Sequence, residues 1–333
     1  MIVYKDEWIS DEWFGYGDER HTALIECLLD DGQIECSPDL SRLLKIYPVN
    51  RSYPHSRWYS SHYNYGATDN YDAGYEDQLP IFWLLDRHLN GPPYMRNPIW
   101  KTTAWLHQRV QILLDHRVEF NVMYHSVTPL YIAMIRVKSC PLANIMIEHG
   151  ADINFGGDSC PILCDCIKDL GGCYEVLSYS LQKGIDPNQF DRDGVTALIL
   201  AIKDHQHDTV CALLEYGADP LMRSISTDWS RWQYNDSSIS PLEMACESGF
   251  ADGVLACLWY IDACDRTPEL LRRPIMLACA WGHLICLDVC LWGCCSMNLT
   301  DEEATELLHC GLYVACESSQ VDIIMYLIKR IMA

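Results

Sequence analysis

The sequence predicts an all-α solenoid of short helix-turn-helix units, and three observations carry that prediction. First, a motif recurs. Asp193-Gly194-Val195-Thr196-Ala197-Leu198 leads to Leu213-Leu214-Glu215-Tyr216-Gly217-Ala218-Asp219-Pro220, and Thr128-Pro129-Leu130-Tyr131-Ile132-Ala133 leads to Ile145-Met146-Ile147-Glu148-His149-Gly150-Ala151-Asp152-Ile153-Asn154. Ser240-Pro241-Leu242-Glu243-Met244-Ala245-Cys246 and Arg273-Pro274-Ile275-Met276-Leu277-Ala278-Cys279 open two more copies. Second, 333 residues exceed one compact core of ordinary size, whereas stacked units bury their apolar faces only against neighbours. Third, 49% hydrophobic residues supply a core, and 21% charged residues argue against global disorder.

Each part of the motif has a local reason. The Thr or Ser hydroxyl caps free N–H groups at a helix start, and Pro suits the first helical position. The Leu and Ala that follow pack inward, and Ala is small enough for close helix contact. Gly closes the turn to a second helix, whose apolar pair, such as Leu213-Leu214, fills the core between units. Gly-Ala-Asp ends that second helix in left-handed backbone.

Laid along the chain, the pattern gives seven to eight units, starting near Ala23, Pro80, Pro129, Pro161, Ala197, Pro241, Pro274 and Leu312. Three spacings are long and imply insertions near 51–77, 87–108 and 221–239. The first and third fall between units and the second between the two helices of one unit. Residues 1–16 read as an acidic N-terminal segment and 17–333 as the repeat domain. The window from Ile275 to Met297 is apolar enough to suggest a membrane span, but it keeps the repeat register. Pro274 then opens a helix, Gly282-His283 turns, and Leu284 to Trp292 forms a buried second helix.

These residues resemble the ankyrin repeat, a unit of about 33 residues. The resemblance runs from about residue 17 to 330 and implies β-hairpin or loop fingers between units. It also implies a concave face of fingers and first helices that binds other proteins. Ala-Cys openings such as Ala245-Cys246 look like the ankyrin and SOCS-box family, which makes a substrate-recognition subunit of a cullin-type ubiquitin ligase an alternative. No separate box follows Lys329-Arg330-Ile331-Met332-Ala333, so that alternative needs a longer chain.

Charge and cysteine narrow the partners. A formal net charge of −22 repels phosphate backbones and anionic membrane surfaces, and favours a basic or a neutral protein partner for a monomer that does not bind nucleic acid or membrane. Acidity is concentrated in residues 1–40, a solubilising cap or a docking surface for a basic segment. The 18 Cys, many at small apolar helix positions such as Cys246, Cys279 and Cys316, together with the absence of a leading apolar run, place the chain in a reducing compartment. The cytoplasm fits, and the nucleus is compatible.

The insertions hold the candidate partner-binding residues. The first carries Trp58, Tyr59, Tyr63 and Tyr65 among Ser, Asn and His; the third carries Trp229, Arg231, Trp232 and Tyr234. Aromatic rings give contact area at low entropic cost, and Trp, Tyr and Arg dominate interface hot spots. Metal binding has two candidate clusters, Cys160/Cys164/Cys166/Cys173 and His283/Cys286/Cys290/Cys294/Cys295, without paired Cys-x-x-Cys spacing. Small apolar Cys in a helical core is the competing reading, so no metal or cofactor is expected. A metal- or thiol-dependent enzyme built on these clusters is the remaining alternative. No phosphate loop, nucleophile elbow or metalloprotease pattern appears, so no catalysis is expected.

Overall fold

The computed structural model describes residues 80–90, 102–115, 117–124, 127–156, 161–168, 174–225, 238–261, 267–296 and 301–332. The chain divides into two compact units, Met1–Gly156 and Gly157–Ala333. In both, the described residues form helices joined by short turns. The N-terminal acidic residues, the first expected repeat and the insertion near 51–77 lie outside the described residues.

In the first unit α1 (Pro80–Asn90) packs on α2 (Thr103–Asp115). Both helices run into the insertion expected near 87–108, so its two flanks are helical. Ile81, Leu84, Leu85, Leu106 and Leu113 are buried here. The next pair is α3 (Pro129–Tyr131), continued by a wider π-helical turn at Ile132–Arg136, and α4 (Cys140–Glu148). Thr128 and Ser139 cap these two helices, their hydroxyls accepting from Tyr131 N and Leu142 N.

The second unit stacks five pairs. These are α5 (Ile162–Lys168) with α6 (Tyr174–Gln182), α7 (Ala197–Lys203) with α8 (His207–Glu215), α9 (Pro241–Ser248) with α10 (Ala251–Tyr260), α11 (Pro268–Trp281) with α12 (Leu284–Ser296), and α13 (Asp301–Glu317) with α14 (Val321–Ile331). First helices pack on first helices along the stack. The motif Leu and Ala meet there: Leu198, Ala201, Leu242, Ala245 and Ala278 are buried.

Between the helices of a pair the backbone turns left-handed. Gly249 (φ 76°) and Gly282 (φ 82°) do this where the sequence predicts glycine. Lys138, His205 and Ser319 adopt φ of 55–56° at the same place in other pairs, in a region that disfavours a Cβ.

Three expectations are corrected. Pro274 does not open a helix. Thr267 caps α11, accepting from Leu270 N at 3.3 Å, and Pro268 takes the first position, so Pro274 lies inside and is buried. A Thr-Pro start six residues upstream outcompetes Arg-Pro, because Arg offers no capping oxygen. The Ile275–Met297 window is also not buried throughout: Ile285 and Trp292 on α12 are 70% and 57% exposed. Finally, Cys246 and Cys279 are core, but Cys316 at the same motif position is exposed. No further first helix packs over α13 among the described residues. The described helices include none long and apolar enough to cross a membrane.

Candidate protein-interaction surface

Side chains stitch neighbouring pairs together. At the inter-helix turns of the second unit, Gln206 Nε2 donates to Ile167 O (3.4 Å), His283 Nε2 lies 3.0 Å from Glu247 O, and Gln320 Nε2 donates to Ala280 O (3.3 Å). The imidazole of the Gly-His turn thus has a structural role. At the repeat ends an Asn clamps the next repeat's Gly-Ala-Asp. Asn188 Nδ2 donates to Gly217 O at 3.1 Å, and Asp219 N donates to Asn188 Oδ1 at 2.8 Å. Asn121 repeats this in the first unit, with Gly150 O at 3.0 Å and Asp152 N at 2.8 Å.

Among the described residues the fingers carry single antiparallel bridges, at Tyr124–Val127 and Phe190–Thr196. Asp191, almost fully buried, shapes one of them by accepting from Asp193 N and Val195 N through Oδ1 (3.0 and 2.8 Å). Its other oxygen takes Lys168 Nζ at 2.8 Å. Burial disfavours the Lys168 charge, but the hydrogen bond and charge of Asp191 overcome it and raise its pKa.

The third insertion leaves and re-enters through a built stem. Ser224 N donates to Ile239 O at 2.9 Å, and Ile239 N donates to Ser224 Oγ at 3.1 Å. Arg223 spans the stem, donating from Nε to Ser238 Oγ (2.9 Å) and from Nη2 to Ser238 O (2.7 Å). Its third bond, from Nη1, reaches Glu243 Oε1 at 2.8 Å. Glu243 is buried, its second oxygen closes a capping box with Ser240 N at 3.1 Å, and Arg273 Nε on α11 stands 3.5 Å from Oε1. Ile225 N donates to Gly194 O at 2.9 Å, joining this finger to its neighbour. The extra first turn of α11 places Arg273 here, and its Arg272 bonds Glu306 on α13.

A shallow groove of about 480 Å³ runs beside α11 and α13, lined by residues including Met276, Glu302, Glu306, His309 and Tyr313. It presents carboxylates and an aromatic ring on first helices, the elements that form an interaction face in a solenoid.

Trp229, Arg231, Trp232 and Tyr234, with Trp58, Tyr59, Tyr63 and Tyr65, lie outside the described residues. The structure does reach both ends of the third insertion, at Ile225 and Ser238. Sequence reading missed its anchors Arg223, Ser224, Glu243 and Arg273. The Ser-x-x-Glu box at Ser240–Glu243 was a readable signal, but that its carboxylate would face two arginines was not.

Of the cysteine clusters, Cys164 and Cys166 are buried in α5, and Cys160 and Cys173 lie outside the described residues. Cys246 Sγ is 3.5 Å from Cys290 Sγ, and Cys286 Sγ donates to Ala245 O at 3.9 Å. Burial pushes the Cys257, Cys279 and Cys286 thiols up to about 12. No group of three or more His, Cys, Asp or Glu positioned for a metal occurs among the described residues.

Helix pairs stitched at three of their turns and clamped at two repeat ends form a repeat scaffold. Residues 163–214 match the family model for ankyrin repeats (many copies), so this stretch is similar to ankyrin repeats. Among solved structures, the human ASB11 ankyrin repeat domain is 19% identical over 61% of this chain and 83% of that one, with a TM-score of 0.42. An ankyrin repeat domain from Acinetobacter baumannii is 21% identical over 56% of this chain and 91% of that one, with a TM-score of 0.44. No curated protein matches the sequence. Ankyrin repeats serve generally as protein–protein interaction scaffolds and are typically non-enzymatic.

Proposed function

We propose that this chain is a non-enzymatic adaptor that holds a protein partner against its first-helix face, with the insertion between Ile225 and Ser238 as the principal anchor. The observation that carries this reading is the stem. Six hydrogen bonds from Arg223, Ser224, Ile239 and Ser240 converge on the point where the insertion departs, and a buried carboxylate lies at their centre. A stem fixed in this way presents Trp229, Arg231, Trp232 and Tyr234 from a rigid base, which lowers the ordering cost of binding. The aromatic residues of the first insertion, Trp58 to Tyr65, are proposed as a second contact.

The partner is proposed to be basic. The chain carries −22 net charge, and Glu302 and Glu306 line the groove on the same first helices. Such a field sets the association rate more than the affinity. The proposal places the chain in the cytoplasm or nucleus as a monomer.

Affinity capture of the full chain from cell extract, compared with a Trp229→Ala/Trp232→Ala variant, tests the anchor. Partners retained by the wild type should be lost from the variant while the melting temperature holds. Unchanged capture with a large fall in melting temperature would show the two Trp to be core.

A further inference from the structure

The second helices of the unit Gly157–Ala333 carry apolar residues on a side the repeat does not use. On α10, Trp259 is 75% exposed, with Leu255 and Tyr260 exposed beside it. On α12, which packs against α10, Trp292 and Ile285 are exposed. Trp259 and Trp292 share one register, each nine residues after the residue that precedes its helix, Phe250 and His283. On α14 that register falls on Lys329, and Val321 and Met325 are exposed nearer its start. Single exposed apolar residues are ordinary, but a ridge led by two Trp in one register on packed neighbouring helices marks an interaction surface.

The surrounding charge selects the occupant. Acids flank the ridge on four helices: Asp208 and Glu215 on α8, Asp252 on α10, Asp288 on α12 and Asp322 on α14, all exposed. The bases are Lys329 and Arg330 on α14, and Arg330 is already bonded to Tyr326 and Asp288. We infer that this ridge docks an amphipathic helix of another protein, with an apolar stripe against Trp259 and Trp292 and Lys or Arg along its flanks. The apolar stripe buries the indole faces, and flanking cations meet both the carboxylates and the ring faces. A second copy of this chain would bring like charge against like charge at −22 each. The inference does not rest on the function proposed above.

The test uses the full chain and two synthetic helical peptides, one with Leu on one side and Lys on the other, one with Leu and Glu. Titration calorimetry should show the Leu/Lys peptide binding at least tenfold tighter than the Leu/Glu peptide. Trp259→Ala/Trp292→Ala should weaken it at least tenfold with the melting curve unchanged. Asp252→Lys/Asp322→Lys, which leaves both Trp in place, should weaken it as well. Equal binding to wild type and the Trp variant, or no binding of the Leu/Lys peptide, overturns the inference. Self-association by sedimentation that the Trp variant abolishes would assign the ridge to a second copy and overturn it too.

Discussion

Arg223 Nη1 donates to Glu243 Oε1 across 2.8 Å, and that bond fastens the stem of the third insertion to the first turn of α9. The two ends differ in what their loss leaves behind. Arg223→Ala leaves a buried carboxylate held by Ser240 N and Arg273, and should cost about 3 kcal/mol, the lower end for breaking a buried pair. Glu243→Ala frees two arginines that are each about one-third exposed, so they rehydrate and the cost falls to about 1–3 kcal/mol. Urea denaturation of both single variants and the double variant measures this. A double variant as destabilised as the two singles added together would show that the pair is not coupled.

The Asn clamps should be separable. Asn188→Ala removes a donor to Gly217 O and an acceptor for Asp219 N, a loss of about 1–2 kcal/mol at a solvent-flanked site. Hydrogen exchange should show lost protection at the Asp219 amide while the Asp152 amide, held by Asn121 in the other unit, keeps its own. Asn121→Ala should give the reverse. Loss at both amides from either variant would contradict the local account.

Glu247 should make stability depend on pH. It is half-buried at the end of α9, its Oε2 has no hydrogen-bond partner among the described residues, and burial pushes its pKa up to about 7 against the pull of Lys203. The unfolded carboxyl, near 4.5, releases its proton first, so ionisation favours unfolding. The favourable contribution is complete below about 4.5 and is lost as pH rises through about 7. Glu247→Gln should therefore stabilise the protein at pH 8 by about 1 kcal/mol after allowing for solvent screening, and leave it unchanged at pH 4.5. Equal melting shifts at both pH values would show that charge is not the cause.

The thiols sort by burial. Burial holds Cys246, Cys257, Cys279 and Cys286 protonated well past neutral pH, whereas Cys316 is exposed. Brief alkylation at pH 8 followed by peptide mass spectrometry should label Cys316 in the native protein and the four core thiols only after unfolding. Native labelling of Cys286 at the rate of Cys316 would place it outside the core.

The repeat itself was legible because its signals are local. Thr128, Thr196 and Ser240 cap helices where Thr or Ser precedes the apolar run, and their hydroxyls accept from Tyr131 N, Ile199 N and Glu243 N. Asn121 and Asn188 sit at repeat ends and clamp there. Most of what failed was non-local. Pro274 is the local exception: Arg-Pro resembles Thr-Pro, but Thr267 upstream offers the capping oxygen that Arg273 lacks. The α12 residues read as buried because apolar composition does not say which face is covered. Arg223 and Arg273 lie on a finger and on α11, so their meeting at Glu243 depends on the stack.

The central claim is that the insertion between Ile225 and Ser238 is a binding element presented by the scaffold rather than a part of it. Replacing residues 226–237 with a short Gly-Ser turn, and measuring urea stability and partner capture on the same preparation, tests this most directly. Stability should stay within about 1 kcal/mol of wild type, since loop length changes closure entropy only weakly, while the captured partner is lost. Capture retained by a destabilised protein would contradict the central claim.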